Sequence, residues 1–313
     1  MPAQHRSRHP LTGDPPTGDP HTYGGDVLAV QAHLTDRDRL IIDWVNRHGV
    51  LTTAQLTAAF FTNPTTAAHR LAKLRDLRLL DRFHRPAPGA WLSPWHWVIG
   101  PLGATITAAA DGTTPPTPRA LRARHAGLAN SVKLPHLLGV NQFFIDLHVY
   151  ARTHPHTALV QWWSEAETIT RFHGLIHPDG HALWRHHDTL VGVFVEHDRG
   201  TEPLSRLVRK LSAYNQLTTN GGPTYPILFW LPNPTRETNL HRELAQHVSD
   251  RQTTVATAVA SPDGPGHSET VSDLHDNPGR WALHQLPCDH GNPNSVYSPA
   301  VNDPAFDPPP HLR

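Results

Sequence analysis

The segment Leu190-Val-Gly-Val-Phe-Val195 is an apolar run rich in β-branched residues, and it ends directly in Glu196-His-Asp198. A run of this length with polar flanks forms a core strand. Side chains alternate along a strand, so Glu196 and Asp198 leave it on one face and His197 on the other. Two carboxylates at the end of a buried strand cannot stay unpaired, because an isolated charge in apolar surroundings is costly. They require a metal cation, basic partners or water.

The chain has 313 residues, enough for two domains of ordinary size plus tails. Its hydrophobic fraction is 38%, and it carries 31 Pro and 26 His, so part of it is expected to be non-globular. Lys occurs only at Lys73, Lys133 and Lys210. A GC-rich coding sequence accounts for this bias as readily as physics does, so the histidine count alone does not argue for metal. The single cysteine, Cys288, excludes an intramolecular disulfide and a Cys-based zinc site within one chain. No apolar run approaches the roughly 18 residues that span a bilayer, and the N-terminus lacks a signal-peptide core. A cytoplasmic protein with no membrane partner is expected. Charge is uneven: residues 33–125 hold 12 Lys/Arg against 6 Asp/Glu, residues 126–251 hold 11 against 11, and residues 252–313 hold 2 against 7. A basic first module points to a polyanionic partner.

Residues 1–32 are Pro-, Gly-, Asp- and His-rich without periodicity and are expected to form a disordered arm. Thr35 caps a first helix with Asp36 and Asp38 in its first turn, and Gly49 closes it. Thr52 and Gln55 have capping-box spacing for a second helix, and Asn63-Pro64 opens a third, carried to Leu80. Ala67, Leu71, Leu74 and Leu77 make the apolar stripe of that third helix; Thr66, His69, Arg70 and Lys73 make a polar one. Short β-compatible runs flank 81–89, and a small helix covers 102–110. Three helices followed by a hairpin over residues 33–112 are expected to form a winged helix-turn-helix domain.

Residues 113–124 are a Pro-rich linker and a basic segment. The second domain is expected over 125–260: a helix at 134–154, strands at 158–163, 178–184 and 190–195, a helix after Thr201-Glu-Pro, a strand at 225–231, a helix at 239–250 and a strand at 253–260. That order gives an α/β domain with a mixed sheet, and an α+β chain overall. Residues 261–313 are expected to be mostly a disordered acidic tail, with one strand near 280–286.

In the winged-helix arrangement the third helix enters a major groove with Thr65, Thr66, His69, Arg70 and Lys73 toward double-stranded DNA. Arg75, Arg78, Arg82 and Arg85 would contact phosphates. The alternative is a helix face that is merely solvated, or one that docks protein. In the second domain Asp179 precedes Glu196 by 17 residues, and adjacent antiparallel strands would bring Asp179, Glu196 and Asp198 to one sheet edge. Three carboxylates there suit magnesium and phosphodiester chemistry. The alternative is a Pro-Asp-Gly turn at Asp179, with Asp198 and Glu202 paired to Arg199 and Arg206. Other signals are weak. His181, His186 and His187 lack zinc-hydrolase spacing and are expected at the surface. Gly24-Gly25 and Gly221-Gly222 match no phosphate loop, and Trp95, Trp97, Trp162 and Trp163 are expected in the core.

The Asp after Pro178, the Glu at a strand end and the α-β-β-β-α-β core resemble the restriction-endonuclease-like nuclease fold. That fold implies a Lys two residues beyond Glu196; Asp198 stands there, and Lys210 on the following helix is the candidate substitute. The helix trio from Arg39 to Leu80 with Arg70-Leu-x-x-Leu74, His136-Leu-Leu-Gly-Val-Asn141, Pro178-Asp-Gly180, Phe194-Val-Glu-His-Asp-Arg-Gly-Thr-Glu202 and Lys210-Leu-x-x-Tyr214 together resemble the replication-relaxation family of plasmids and integrative elements. The likeness spans roughly residues 35–250, with His197 where the family often has an aliphatic residue. It implies a DNA-associated protein concerned with plasmid replication or copy-number control. Two alternatives stay open: a magnesium-dependent endonuclease or nickase acting through Asp179, Glu196, Asp198 and Lys210, and a non-enzymatic adaptor, homodimeric or not, that docks a replication initiator or relaxase.

Overall fold

The computed structural model describes residues 30–85, 94–246, 253–260, 270–273 and 280–288. The N-terminal part runs α1 (Asp36–Arg47), β1 (Leu51–Thr52), α2 (Thr53–Phe60), α3 (Pro64–Asp76), β2 (Leu80–Phe83), β3 (His96–Ile99) and α4 (Pro101–Ala110). The three helices start where capping chemistry places them. Thr35 forms a capping box with Asp38, Thr52 forms one with Gln55, and Asn63 accepts from the N–H groups of Thr65 and Thr66 beside Pro64. Third-helix geometry stops at Asp76, four residues before the expected end. Arg78 takes a left-handed conformation (φ 59°) that turns the chain into β2. The three strands form an antiparallel sheet in the order β1-β3-β2. β1 went unseen in the sequence because its two residues are too few to alternate.

The expected hairpin tip at 86–93 lies outside the described residues, as do residues 1–29 of the expected arm and 289–313 of the tail. The linker resolves into α5 (Pro118–Asn130), capped by Thr117, so the boundary expected at residue 125 falls inside a helix.

After α5 come α6 (Leu134–Thr153), β4 (Thr157–Ser164), α7 (Glu165–Arg171), β5 (Gly180–His186), β6 (Thr189–His197), α8 (Leu204–Thr219), β7 (Ile227–Leu231), α9 (Pro234–Ala245) and β8 (Val255–Val259), then β9 (Thr270–Asp273) and β10 (Arg280–Ala282). The strands form one mixed sheet in the order β10-β9-β8-β7-β6-β5-β4, parallel only between β6, β7 and β8. Three points differ from the sequence expectation. α7 is an extra short helix announced by the Ser164/Glu167 capping box. α9 starts at Pro234, capped by Asn233, earlier than expected. Within the expected tail, β9 and β10 extend the sheet.

The alternation along β6 sorts the core. Val191, Val193 and Val195 face the layer containing Phe143, Phe144 and Leu147 of α6; Phe194 faces Leu207, Leu211 and Tyr214 of α8 and Leu240 of α9. His181, expected at the surface, is wholly buried among Trp163, Phe194 and Tyr225, because β5 is an interior strand covered on both faces.

α6 also carries the N-terminal part. Trp162 is packed between the rings of His48 and Phe144, with centroids 3.4 and 4.8 Å away. Gln55 donates to the Leu138 carbonyl (2.9 Å), and Arg152 donates to the Ala58 and Ala59 carbonyls (3.0 and 2.7 Å), which the end of α2 leaves unpaired. Asn141 is buried and donates to the His48 and Val50 carbonyls at 3.3 and 2.8 Å. The His48 carbonyl also accepts the Val50 N–H, so replacing Asn141 with Leu leaves the Val50 carbonyl as the acceptor deprived of its donor, and is expected to cost roughly 1–3 kcal/mol in a denaturant titration. An unchanged midpoint would show that this carbonyl finds another donor.

Candidate functional site

Two constellations qualify as functional, one on α3 and one at the end of β6. On α3, burial of Ala67, Leu71 and Leu74 sets the orientation. Thr65, Thr66, His69 and Lys73 are then exposed, and none of their side chains has a hydrogen-bond or ionic partner among the described residues. Arg70 departs from the expected stripe. Its guanidinium forms a two-point ion pair with Asp38, through Nε to Oδ1 at 2.7 Å and through Nη2 to Oδ2. Asp38 is completely buried and also accepts from the Thr35 hydroxyl and N–H. Burial works to raise the Asp38 pKa, but Arg70 and Thr35 outweigh it and hold the carboxyl below its ordinary value. Arg70 therefore locks α3 to α1 and presents little of its charge outward.

The remaining candidate cations of this part spread along the α3 end and the hairpin. Arg78 is exposed; Arg75, Arg82 and Arg85 are half-buried. Arg75 pairs with Asp76 at 3.0 Å. Arg82 lies 3.6 Å above the Trp95 ring, a cation–π contact that holds it against the hairpin.

At the end of β6, Gly180 is in register with Val195, so Asp179 lies beside Glu196 as the strand pairing required. Glu196 is buried and points to the α8 face; it accepts from Tyr214 Oη at 2.7 Å and from Lys210 Nζ. His197 points to the opposite face against α6, where Gly139 admits it. A Cβ at residue 139 would stand 2.2 Å from His197 Nε2. The His197 N–H donates to Asp179 Oδ2 at 2.7 Å, and His136 Nε2, at the start of α6, meets Asp179 Oδ1 at 2.9 Å. Asp198, just beyond the strand, turns to Arg236 of α9, with Nε to Oδ2 at 2.6 Å. Arg206 pairs with Glu202 at 3.5 Å, as the ion-pair alternative expected, whereas Asp198 takes Arg236 in place of Arg199.

The three acids of the expected metal set, Asp179, Glu196 and Asp198, each take a separate basic partner. Among the described residues no three His, Cys, Asp or Glu side chains stand close enough to share an ion. Their carboxylates are engaged by His136, Lys210 and Arg236, so their oxygens are directed to different helices. That donor set does not fit magnesium, which needs carboxylate oxygens converging on one point. His136 and Arg236 were not among the expected site residues. The Asn233-Pro234 pair, the same start signal as Asn63-Pro64, would have put Arg236 in a first helical turn near the strand end; His136 opens the family-like string His136-Leu-Leu-Gly-Val-Asn141, but nothing in that string pairs it with Asp179.

Burial pushes the Glu196 carboxyl up to about 7, assisted by Asp179 and opposed by Lys210 and Tyr214. Lys210 moves upward too, because Glu196 and Asp179 outweigh its own burial. The hydrogen bond to Asp179 raises His136, while Asp179 is held below its ordinary value because His136 and Lys210 outweigh burial.

A family model described as Replication-relaxation matches residues 42–226, more than half of the chain. The chain belongs to the replication-relaxation family. In this family member the matched span takes in α3, Asp179, Glu196, Asp198, Lys210 and Tyr214, and stops before Arg236. No curated protein and no solved structure matches it.

The acid cluster gives the replication-relaxation protein a definite pH response. Glu196 has a folded pKa of about 7 against an ordinary 4.5, so the folded state binds more protons between these values and stability falls as pH rises through them. His136 adds stability fully present below 6.5 and lost as pH rises through its raised folded pKa. Asp179 contributes only above 3.8 and loses its share as pH falls through its lowered value. His148 and His197, each pushed down to about 4 by burial, work in the opposite sense below 6.5, so the expected signature is a difference: the melting temperature of wild type relative to Glu196→Gln falls as pH rises from 4.5 to 7. Parallel profiles for the two proteins would contradict the assignment.

Proposed function

We propose that this chain is a double-stranded DNA-binding protein of a plasmid or integrative element, acting in its replication or copy-number control through α3. The family supports the replication setting. The DNA reading rests on one observation: Thr65, Thr66, His69 and Lys73 form an exposed face of α3 without intramolecular partners among the described residues, while the opposite face is buried. The order α1-β1-α2-α3-β2-β3, with an antiparallel β1-β3-β2 sheet, supports a winged helix-turn-helix reading, a fold whose third helix reads the major groove. Hydroxyls and imidazole suit base edges, and Lys73 suits phosphate.

Arg70 provides an internal control. Arg70→Ala leaves Asp38 buried without its ionic partner and is expected to destabilise the fold by roughly 2–4 kcal/mol. Combined replacement of His69 and Lys73 by Ala is expected to lower DNA affinity and flatten its salt dependence by about one unit of slope, without changing the melting temperature. Unchanged isotherms for that variant would remove α3 from the interface. Absence of wild-type binding at low salt would favour the adaptor that docks an initiator or relaxase.

The restriction-endonuclease-like reading of the second part draws support from the order α6-β4-β5-β6-α8-β7, interrupted by the short helix α7 after β4, and from Lys210 reaching Glu196 across from α8. The separately paired carboxylates do not support magnesium-dependent cleavage. Millimolar magnesium is accordingly expected to leave the melting temperature unchanged and supercoiled plasmid un-nicked. Nicking by the wild type that Glu196→Gln abolishes would instead establish an endonuclease.

A further inference from the structure

Helix α5 carries Arg119, Arg122 and Arg124, and Lys133 follows it in the turn to α6. Between Asp111 and Asp146 the sequence has no acidic residue. Only one side of α5 is packed: Leu121 is buried in the main core, and Leu128 rests on the cluster of Val50, Val98 and Leu134 behind the small sheet. His125, on the same side, reaches Asp81 of β2 at 3.8 Å, and Arg124 donates to the Asn46 carbonyl at the end of α1 at 2.9 Å. α5 is thus fastened to the N-terminal part, beside the strand that carries Arg82.

Its outward side is electrostatically unfavourable for the helix itself. Arg119 and Arg122 are exposed, lie one turn apart, and stand in the positive N-terminal half of the helix with no acid in its first turn. Neither has an ionic or hydrogen-bonded partner among the described residues, whereas Arg47, Arg75 and Arg206 on other helices each have an acid nearby. Like charges placed against both the dipole and each other gain nothing from folding. They gain from an external polyanion.

We infer that Arg119 and Arg122 form a second phosphate-contact surface, by which α5 grips the DNA backbone beside the duplex segment read by α3. This rests on the DNA-binding reading above and extends it. Contacts of this kind add affinity without sequence preference, because phosphates are the same at every step.

The test is equilibrium binding of the full chain to a DNA duplex over a range of salt concentrations, for wild type, Arg119→Ala/Arg122→Ala and His69→Ala/Lys73→Ala. Each phosphate contact contributes about 0.9 to the slope of log affinity against log salt. The α5 variant is expected to lose about 2 units of slope, to weaken equally on all sequences, and to keep its melting temperature. The α3 variant is expected to lose about 1 unit and to weaken unequally among sequences. An unchanged slope for the α5 variant, with the α3 variant weakened, would overturn this inference and leave the α3 reading standing. No wild-type binding at low salt would overturn both. Binding to poly-glutamate as tight as to DNA, and lost in the α5 variant, would assign α5 to an acidic protein partner and overturn the DNA inference.

Discussion

Three carboxylates must be buried or half-buried where β5 and β6 reach the end of the large sheet, and each is met by a basic side chain from a different helix. Asp179 takes His136 of α6, Glu196 takes Lys210 of α8, and Asp198 takes Arg236 of α9. Removing charge from water is costly, so these pairs are exacting in geometry even where they add little net stability. They fix where three helices stand relative to one strand end. Tyr214 and the His197 N–H complete the set by filling acceptor positions the basic side chains leave open.

Through α6 the same constraint reaches the N-terminal part. α6 meets His197 at Gly139, covers one face of the sheet with Phe143 and Phe144, donates from Asn141 and Arg152 to carbonyls after α1 and at the end of α2, and accepts Gln55 of α2 at its Leu138 carbonyl. Trp162 of β4, held between His48 and Phe144, joins the two parts by aromatic packing. The α3 face and α5 are therefore presented by a surface tied to the sheet, and their positions follow from contacts distant in sequence.

The basic residues divide by partner. Arg70, Lys210 and Arg236 are consumed by buried acids, Arg82 rests on Trp95, and Arg75 shares its charge with Asp76. Lys73, Arg119 and Arg122 have no such partner among the described residues. A count of charge along the chain does not separate these groups, since a guanidinium inside an ion pair and one facing solvent contribute equally to it. Burial and distance separate them.

The sequence by itself determined the local structure wherever a short-range rule applied. Caps at Thr35, Thr52 and Asn63 fixed three helix starts, the apolar run to Val195 fixed β6, and alternation fixed opposite faces for Glu196 and His197. The family string around residues 194–202 was legible for the same reason: it is contiguous. Only the tertiary structure decided what those residues touch. Arg70 and Asp38 are 32 residues apart, Arg236 and Asp198 are 38 apart, and nothing at either position signals the other. The expected acid trio resolves into three separate pairs on that account: strand pairing brings the acids to one end of the sheet, and basic side chains arriving from α6, α8 and α9 determine where their oxygens point.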